Sequence, residues 1–570
     1  MIRTVRTALG PVEGIAAPEP EITVFRGIPF AAPPVGDLRW RAPQPAEPWE
    51  GTLIAHDFAP ACLQPTPGDS NEFYDREWGT DSAIALSEDC LYLNVWTPAL
   101  RGGGQQAQVS VEHPLPVMVW IHGGAYQTGC TAEKEFDGSA LARRGVVVVS
   151  LAYRLNVFGF LAHEWLREES QARQDDEPYA NFGFLDQRAG IRWVRENIVA
   201  FGGDPENITI FGQSAGAGSV LAQICSPLNR GLFQRAIMQS GAGLGMFNRH
   251  QQSLEDGHRT AERLFEALGV SSLDEARQVP AAELLAAAEA LPVPPESGRE
   301  GDWSMMVNWV PCVDGRFITD QYARTIARGE QSLEDGHRTA ERLFEALGVS
   351  SLDEARQVPA AELLAAAEAL PVPPESGREG DWSMMVNWVP CVDGRFITDQ
   401  YARTIARGEQ NEVEILLGNT TGEFMETDAD GTLLPAGEVG NLKLIAEWIR
   451  GGRKAPYYYR FDVAMPGDDA GAFHSSELWF SFGTLATCWR PFVGWHYDLS
   501  RRMVAYWTNF AATGDPNGPD VDGTPLPEWT RYAPFGGDAM RLGQRTRMIR
   551  DWSTNVERNA LLQWGSATTN

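Results

Sequence analysis

The chain predicts an α/β protein: a mostly parallel central sheet with helices on both faces and a helical insertion. Three observations carry that expectation. Short β-branched runs at residues 116–121, 146–150, 207–211, 235–239 and 413–417 are apolar without alternating, as strands covered on both faces are. Between the second and third, residues 185–200 place Leu185, Ala189, Ile191, Trp193, Val194 and Ile198 at helical spacing. The 570 residues are 43% hydrophobic and 22% charged, which suits one large buried core with insertions.

In chain order, residues 1 to about 120 read as short strands broken by Gly and Pro turns. The run at 116–121 ends in His122-Gly123-Gly124, and that at 207–211 runs straight into Gly212-Gln213-Ser214-Ala215-Gly216. An apolar helix follows, over Ser219 to Ile224. Residues 281–291, rich in Ala and Leu, read as a helix inside an insertion at 245–410, placed beside the C-terminal edge of the sheet. The expected organisation is one domain over residues 1–570 carrying that insertion.

The insertion holds an exact tandem duplication. Residues 252–330 recur unchanged as residues 331–409. Solenoid units are usually shorter, more numerous and diverged. A recent duplication or an error in assembling the sequence accounts better for a 79-residue unit that is identical at every position. Deleting either copy leaves the same chain, so the fold has a choice of register between them. The surplus is expected to loop out at an irregular stretch, best at residues 292–301 or their twin starting at Pro371. Closing such a loop costs about 4 kcal/mol.

Charge and cysteine content narrow the function. Net charge is −29, from 47 basic and 76 acidic side chains, which opposes nucleic acid and anionic membranes as partners. No apolar run reaches the ~20 residues of a membrane span, and the first residues lack the apolar core of a signal peptide, so a cytoplasmic location is expected. The seven cysteines show no CxxC spacing and the nine histidines no HExxH, so no metal or cofactor is expected.

Gly212-Gln213-Ser214-Ala215-Gly216 fits G-x-S-x-G, and its place between a strand and a helix is what a nucleophile elbow requires. Glycines flank the serine because the turn is sharp and neighbouring chain comes close. The helix N-terminus brings partial positive charge to where an oxyanion would develop. The loop His122-Gly123-Gly124-Ala125 follows a strand, as an oxyanion loop should, so Gly123, Gly124 and Ala215 are the candidate N–H donors.

With these motifs in view, the chain resembles the type-B carboxylesterases, the family that also holds the cholinesterases. The resemblance extends over residues 25–40 (FRGIPFAAPPVGDLRW), 87–94 (SEDCLYLN), 181–187 (NFGFLDQ), 201–205 (FGGDP), 506–510 (YWTNF) and 513–516 (TGDP). It implies an α/β-hydrolase fold and hydrolysis of a small-molecule ester by water through an acyl-enzyme. It identifies Glu423, in LGNTTGE, as the acid and His474, in GAFHSSEL, as the base; Ser214, Glu423 and His474 then follow the chain order of that fold. A serine hydroxyl needs such a base at neutral pH, and the base needs a carboxylate to fix its tautomer. Glu426 and Asp428 are alternative acids.

The resemblance also marks Ser240, in QSG, as a serine supporting the site, and pairs Cys62 with Cys90, either bonded or as two thiols. It places Trp303, Met305, Met306 and Trp309, or their twins Trp382, Met384, Met385 and Trp388, near the acyl pocket, and Trp78 in a region suited to a cation–π contact. Only 51 residues separate Glu423 from His474, short for the family. Gln213 is neutral where cholinesterases carry a carboxylate, which favours uncharged esters. Two other readings stay open: a non-catalytic binding protein of the same fold, and an esterase impaired by its duplication.

Overall fold

The chain's structure is a computed structural model that describes residues 2–65, 73–78, 84–101, 108–109, 112–173, 178–242, 252–291, 312–313, 411–423, 425–427, 433–532 and 538–549. The apolar runs form a 13-stranded sheet among these residues. Its strands include β1 (Ile2–Arg6), β2 (Pro11–Ala16), β3 (Thr23–Pro29), β4 (Tyr92–Thr97), β5 (Leu115–Ile121), β6 (Val147–Leu151), β7 (Gly203–Gln213), β8 (Arg235–Gln239), β9 (Glu414–Thr420), β10 (Tyr457–Phe461), β11 (Ala539–Leu542) and β12 (Arg547–Ile549). Their order is β1-β2-β3-β4-β6-β5-β7-β8-β9-β10-β11-β12, with the short pair Leu53–Ile54 against β2.

The sheet divides by direction. Pairs from β1 to β6 are antiparallel. From β6 through β5, β7, β8, β9 and β10 to β11 every pair is parallel. The parallel strands are those read as continuous apolar runs. Val117, Met118, Val119, Trp120 and Ile121 of β5 are all buried, because helices cover both faces and no strand face meets water.

Helices used below are α1 (Phe73–Trp78), α2 (Phe182–Asn197), α3 (Ala215–Cys225), α4 (Leu254–Leu268), α5 (Leu273–Gln278), α6 (Ala281–Ala290), α7 (Ala436–Arg450) and α8 (Gly494–Thr513). The predicted helix at 185–200 is α2, continued by a 3-10 turn over Ile198–Phe201. One core cluster joins α2, α3 and α4 to one sheet face, and a second joins α8 to the other.

In the duplicated segment, α4–α6 belong to the first copy. They dock on the body through Phe265, edge-on to Trp40 at 6.0 Å, and through buried Arg277, which donates to Glu169 at 2.7 and 2.9 Å. The same helical sequences of the second copy, both expected loop-out stretches, and the Trp and Met residues expected near the acyl pocket lie outside the described residues.

Candidate active site

Ser214 sits where β7 gives way to α3, with φ +55° and ψ −127°. A non-glycine residue pays roughly 1–3 kcal/mol for such a conformation. The neighbouring backbone holds it there. Ser214 N–H donates to the Gln239 carbonyl on β8 at 2.9 Å, and its own carbonyl accepts from Gly218 at 3.0 Å. Gly216 allows α3 to start this close to β5: a Cβ there would stand 2.1 Å from the Ile121 carbonyl oxygen.

The loop after β5 lies against this turn. A Cβ on Gly123 would be 2.8 Å from the Gln213 carbonyl oxygen and 3.1 Å from Ser214 Cβ. Gly123 is therefore beside the serine, and the following Gly124, Ala125 and Tyr126 all have positive φ. Buried His122 anchors the loop. Its Nδ1 is 2.9 Å from the Gly123 carbonyl, its ring stacks on Tyr153 at 4.5 Å, and the Tyr153 hydroxyl donates to its carbonyl at 2.9 Å. Burial pushes the His122 imidazole down to about 4, so it stays neutral. Ala215 is the first residue of α3, at its N-terminal end.

Glu423 and His474 arrive from two loops that touch. Glu423 follows β9, whose end is held by Asn419, an acceptor for the Tyr458 hydroxyl at 2.7 Å. The Gly422 amide donates to the Ala472 carbonyl at 3.1 Å, tying one loop to the other. Across that tie, His474 Nδ1 lies 2.6 Å from Glu423 Oε2. Glu423 is buried, and Thr420 N–H donates to its other oxygen at 3.3 Å. On the far side of the ring, Nε2 lies 3.2 Å from the side-chain nitrogen of Gln213, the residue before Ser214. An amide donating there leaves the ring proton on Nδ1, facing Glu423.

Two residues at this corner are not evident from the sequence pattern. One is Gln213 as a contact of His474. The other is Glu477, three residues past the histidine and fully buried, which accepts from Ser240 Oγ at 2.9 Å. Its Oε2 has no hydrogen-bond partner among the described residues. Burial first, and the nearby Glu423 charge second, push its carboxyl up to about 8. The carboxyl positions of the H-x-x-E spacing could have pointed to it. Ser240, the weakest sequence candidate, has φ +52° and its N–H donates to the Gly418 carbonyl at 2.8 Å, so it bridges β9 to Glu477.

Of the alternative acids, Glu426 falls in the short strand Met425–Thr427 beyond Glu423, and Asp428 lies outside the described residues. Trp78 stacks on Tyr74 at 4.5 Å. Cys62 and Cys90 are buried thiols, not joined by a disulfide, with a hydrogen bond between their side chains. No group of metal-ligating side chains occurs among the described residues, and no described helix is long and apolar enough to cross a membrane.

The model of the carboxylesterase family matches residues 2–337 and 438–560. Para-nitrobenzyl esterase of Bacillus subtilis (strain 168) is 39% identical over 331 residues, which are 58% of this chain and 60% of that protein; the chain thus aligns with less than two thirds of that relative's length. Carboxylesterase 4A of Bos taurus is 32% identical over 534 residues, 90% of this chain and 86% of that protein. Among solved structures, a carboxylesterase of Geobacillus stearothermophilus superposes with a TM-score of 0.65 at 28% identity, over 98% of this chain and 99% of its own.

Proposed function

The chain belongs to the carboxylesterase family, and from that premise we propose that it is a serine carboxylic-ester hydrolase working through an acyl-enzyme. One observation carries the reading. His474 is held at 2.6 Å by Glu423 on one nitrogen, while its other nitrogen lies 3.2 Å from the side-chain nitrogen of Gln213, the residue before the strained Ser214. The reading assigns Ser214, His474 and Glu423 the roles of nucleophile, base and orienting acid that ester cleavage needs.

In this mechanism Ser214 Oγ attacks the ester carbonyl as His474 Nε2 accepts its proton. Glu423 holds the Nδ1 proton and stabilises the imidazolium. The N–H groups of Gly123, Gly124 and Ala215 receive the charge that develops on the carbonyl oxygen, aided by the N-terminal end of α3. His474 then protonates the leaving alcohol. Water activated by the same imidazole releases the acid and restores Ser214. Ser240 keeps Glu477 in place behind the acid. The positive φ of Ser214 supports this role, because strained backbone conformations cluster at active sites.

The substrates are uncharged esters. A neutral Gln213 stands beside His474, so no carboxylate next to the nucleophile favours a cationic alcohol. The net charge of −29 speaks for small-molecule partners over nucleic acid. The unbonded thiols of Cys62 and Cys90 favour a reducing compartment, the cytoplasm. We read residues 1–570 as one α/β-hydrolase domain, with 245–410 as its insertion and the copies 252–330 and 331–409 inside it.

Treatment with an organophosphate should add one phosphyl group, located on Ser214 by peptide mass analysis, and abolish hydrolysis of p-nitrophenyl acetate. Ser214→Ala should lose at least about 10³-fold in kcat with the fold intact. Full activity in that variant would refute the assignment.

A further inference from the structure

The loop after β5 carries two amide donors that the fold leaves unspent. Among the described residues, neither the Gly123 N–H nor the Gly124 N–H has an acceptor. Both are available to a substrate oxygen, and what aims them is a matter of peptide planes. In a trans peptide the carbonyl and the N–H point in opposite directions, so a bond that holds the one sets the heading of the other. The Gly123 N–H shares its plane with the His122 carbonyl, and the Gly124 N–H with the Gly123 carbonyl. Each of these carbonyls is held from behind.

The first is held by Tyr153, two residues past the end of β6 and fully buried. Its hydroxyl donates to the His122 carbonyl at 2.9 Å, and its ring stacks on the His122 ring at 4.5 Å. Burial first, and then its neighbours Tyr126, Glu133 and Cys62, push that hydroxyl well above its ordinary range, so it stays protonated and keeps donating.

The second is held by His122 itself, whose Nδ1 lies 2.9 Å from the Gly123 carbonyl. A carbonyl only accepts, so the neutral ring carries its proton on Nδ1. Gly129 backs this bond. A Cβ there would stand 2.6 Å from His122 Nδ1 and 2.8 Å from the Gly123 carbonyl oxygen, so bare main chain with φ +110° lies against both. Buried Gln64, from a segment 65 residues away, clamps Gly129 through both of its polar groups. The Gly129 N–H donates to Gln64 Oε1 at 2.8 Å, and Gln64 Nε2 donates to the Gly129 carbonyl at 3.0 Å. Nε2 also donates to the Cys62 carbonyl at 3.0 Å, which spends both of its hydrogens and fixes the amide in place.

We infer that Tyr153 and Gln64 are positioning residues for the oxyanion donors: Tyr153 aims the Gly123 N–H through the His122 carbonyl, and Gln64 aims the Gly124 N–H through Gly129 and the His122 ring. This rests on the esterase reading above and names what orients its two loop donors. Both contacts also stabilise the fold, so the test must read the aim of the donors and not folding.

A pair of substrates does so: p-nitrophenyl acetate and the matching thionoacetate, in which sulfur replaces only the carbonyl oxygen. Sulfur is a weak acceptor and stands farther from its carbon, so the thionoester draws little on aimed N–H groups. Rates are taken per site titrated by organophosphate, which cancels any loss of folded protein. Wild-type kcat/KM should favour the oxygen ester by about 10²-fold or more. Tyr153→Phe keeps the ring on His122 and should lower kcat/KM about tenfold on the oxygen ester but less than about twofold on the thionoester. Gln64→Met keeps the length of the side chain without its polar groups and should lower the ratio of the two about threefold. Equal losses on both esters in Tyr153→Phe, or no loss on either, would overturn the aim assigned to Tyr153. An unchanged ratio in Gln64→Met would overturn that assigned to Gln64. Either result, with Ser214 still labelled, leaves the esterase intact. Wild-type enzyme that turned over neither ester, with Ser214 unlabelled by organophosphate, would overturn the esterase reading and this inference with it.

Discussion

The Ser214 corner and the His474–Glu423 corner are held together by different means. Ser214 is fixed almost wholly by main chain: bonds to Gln239 and Gly218, and close approach of Gly123 and Gly216 to neighbouring backbone. His474 and Glu423 are fixed by side chains that meet across the sequence: the 2.6 Å carboxylate bond, the Gln213 amide, and Ser240 on Glu477. Main-chain packing sets a position once the fold forms and does not titrate. Side-chain ionisation sets a position that depends on pH and on single functional groups. The first corner should therefore respond to changes of bulk, the second to changes of charge.

The sharpest break in that contrast is Glu423→Gln. The amide nearly matches the carboxylate in shape, so a corner built on bulk alone would tolerate it. One built on charge loses the acceptor that holds the Nδ1 proton and stabilises the imidazolium. The expected fall in kcat is about 10³–10⁴-fold with KM little changed, measured with p-nitrophenyl acetate. Activity within tenfold of wild type would mean that another carboxylate serves.

A smaller effect is expected from Gly123→Ala, the matching change of bulk. The added methyl would sit 2.8 Å from the Gln213 carbonyl oxygen and 3.1 Å from Ser214 Cβ, so the loop must retreat by a few tenths of an ångström. Donors aimed at a developing oxyanion lose effect over such distances, and kcat should drop about 10–10²-fold at every pH. A loss that varied with pH would place Gly123 in the charge-dependent corner instead.

The same contrast explains what could be read in the sequence. The elbow was legible because all its determinants lie within a few residues: an apolar run, two glycines around a serine, and an apolar helix. The strands were legible too, within small shifts of their ends, such as 146–150 against Val147–Leu151 and 207–211 against the longer Gly203–Gln213. Glu423 and His474 carry no local pattern of their own, and only the family resemblance located them. The Gln213–His474 contact was invisible, since it joins segments 261 residues apart through side chains alone, and Glu477 showed only as the carboxyl of an H-x-x-E spacing. The two copies of 252–330 present the opposite case. Identical sequence gives identical local expectation, and only the single set of partners on the body, Trp40 and Glu169 among them, can distinguish a docked copy.

Glu477→Gln gives the smallest effect and separates the corners by pH alone. In the unfolded chain this carboxyl titrates near its ordinary value of 4.5; in the folded chain it is pushed up to about 8. Between those values the folded state keeps a proton that the unfolded state has released, so rising pH favours unfolding. Stability of the wild type should decline across that window and level off above pH 8. Glutamine cannot ionise, yet it still offers Ser240 an acceptor, so the variant lacks the decline. Melting temperatures of the two proteins should nearly coincide at pH 5, with the variant roughly 2–5 °C higher at pH 9. In wild type, ionisation near pH 8 adds a second negative charge behind Glu423, and the kcat profile should show a step there that the variant loses. Parallel melting curves from pH 5 to 9 would mean that Glu477 is already ionised at pH 5, and that Ser240 supports a charge instead of a proton.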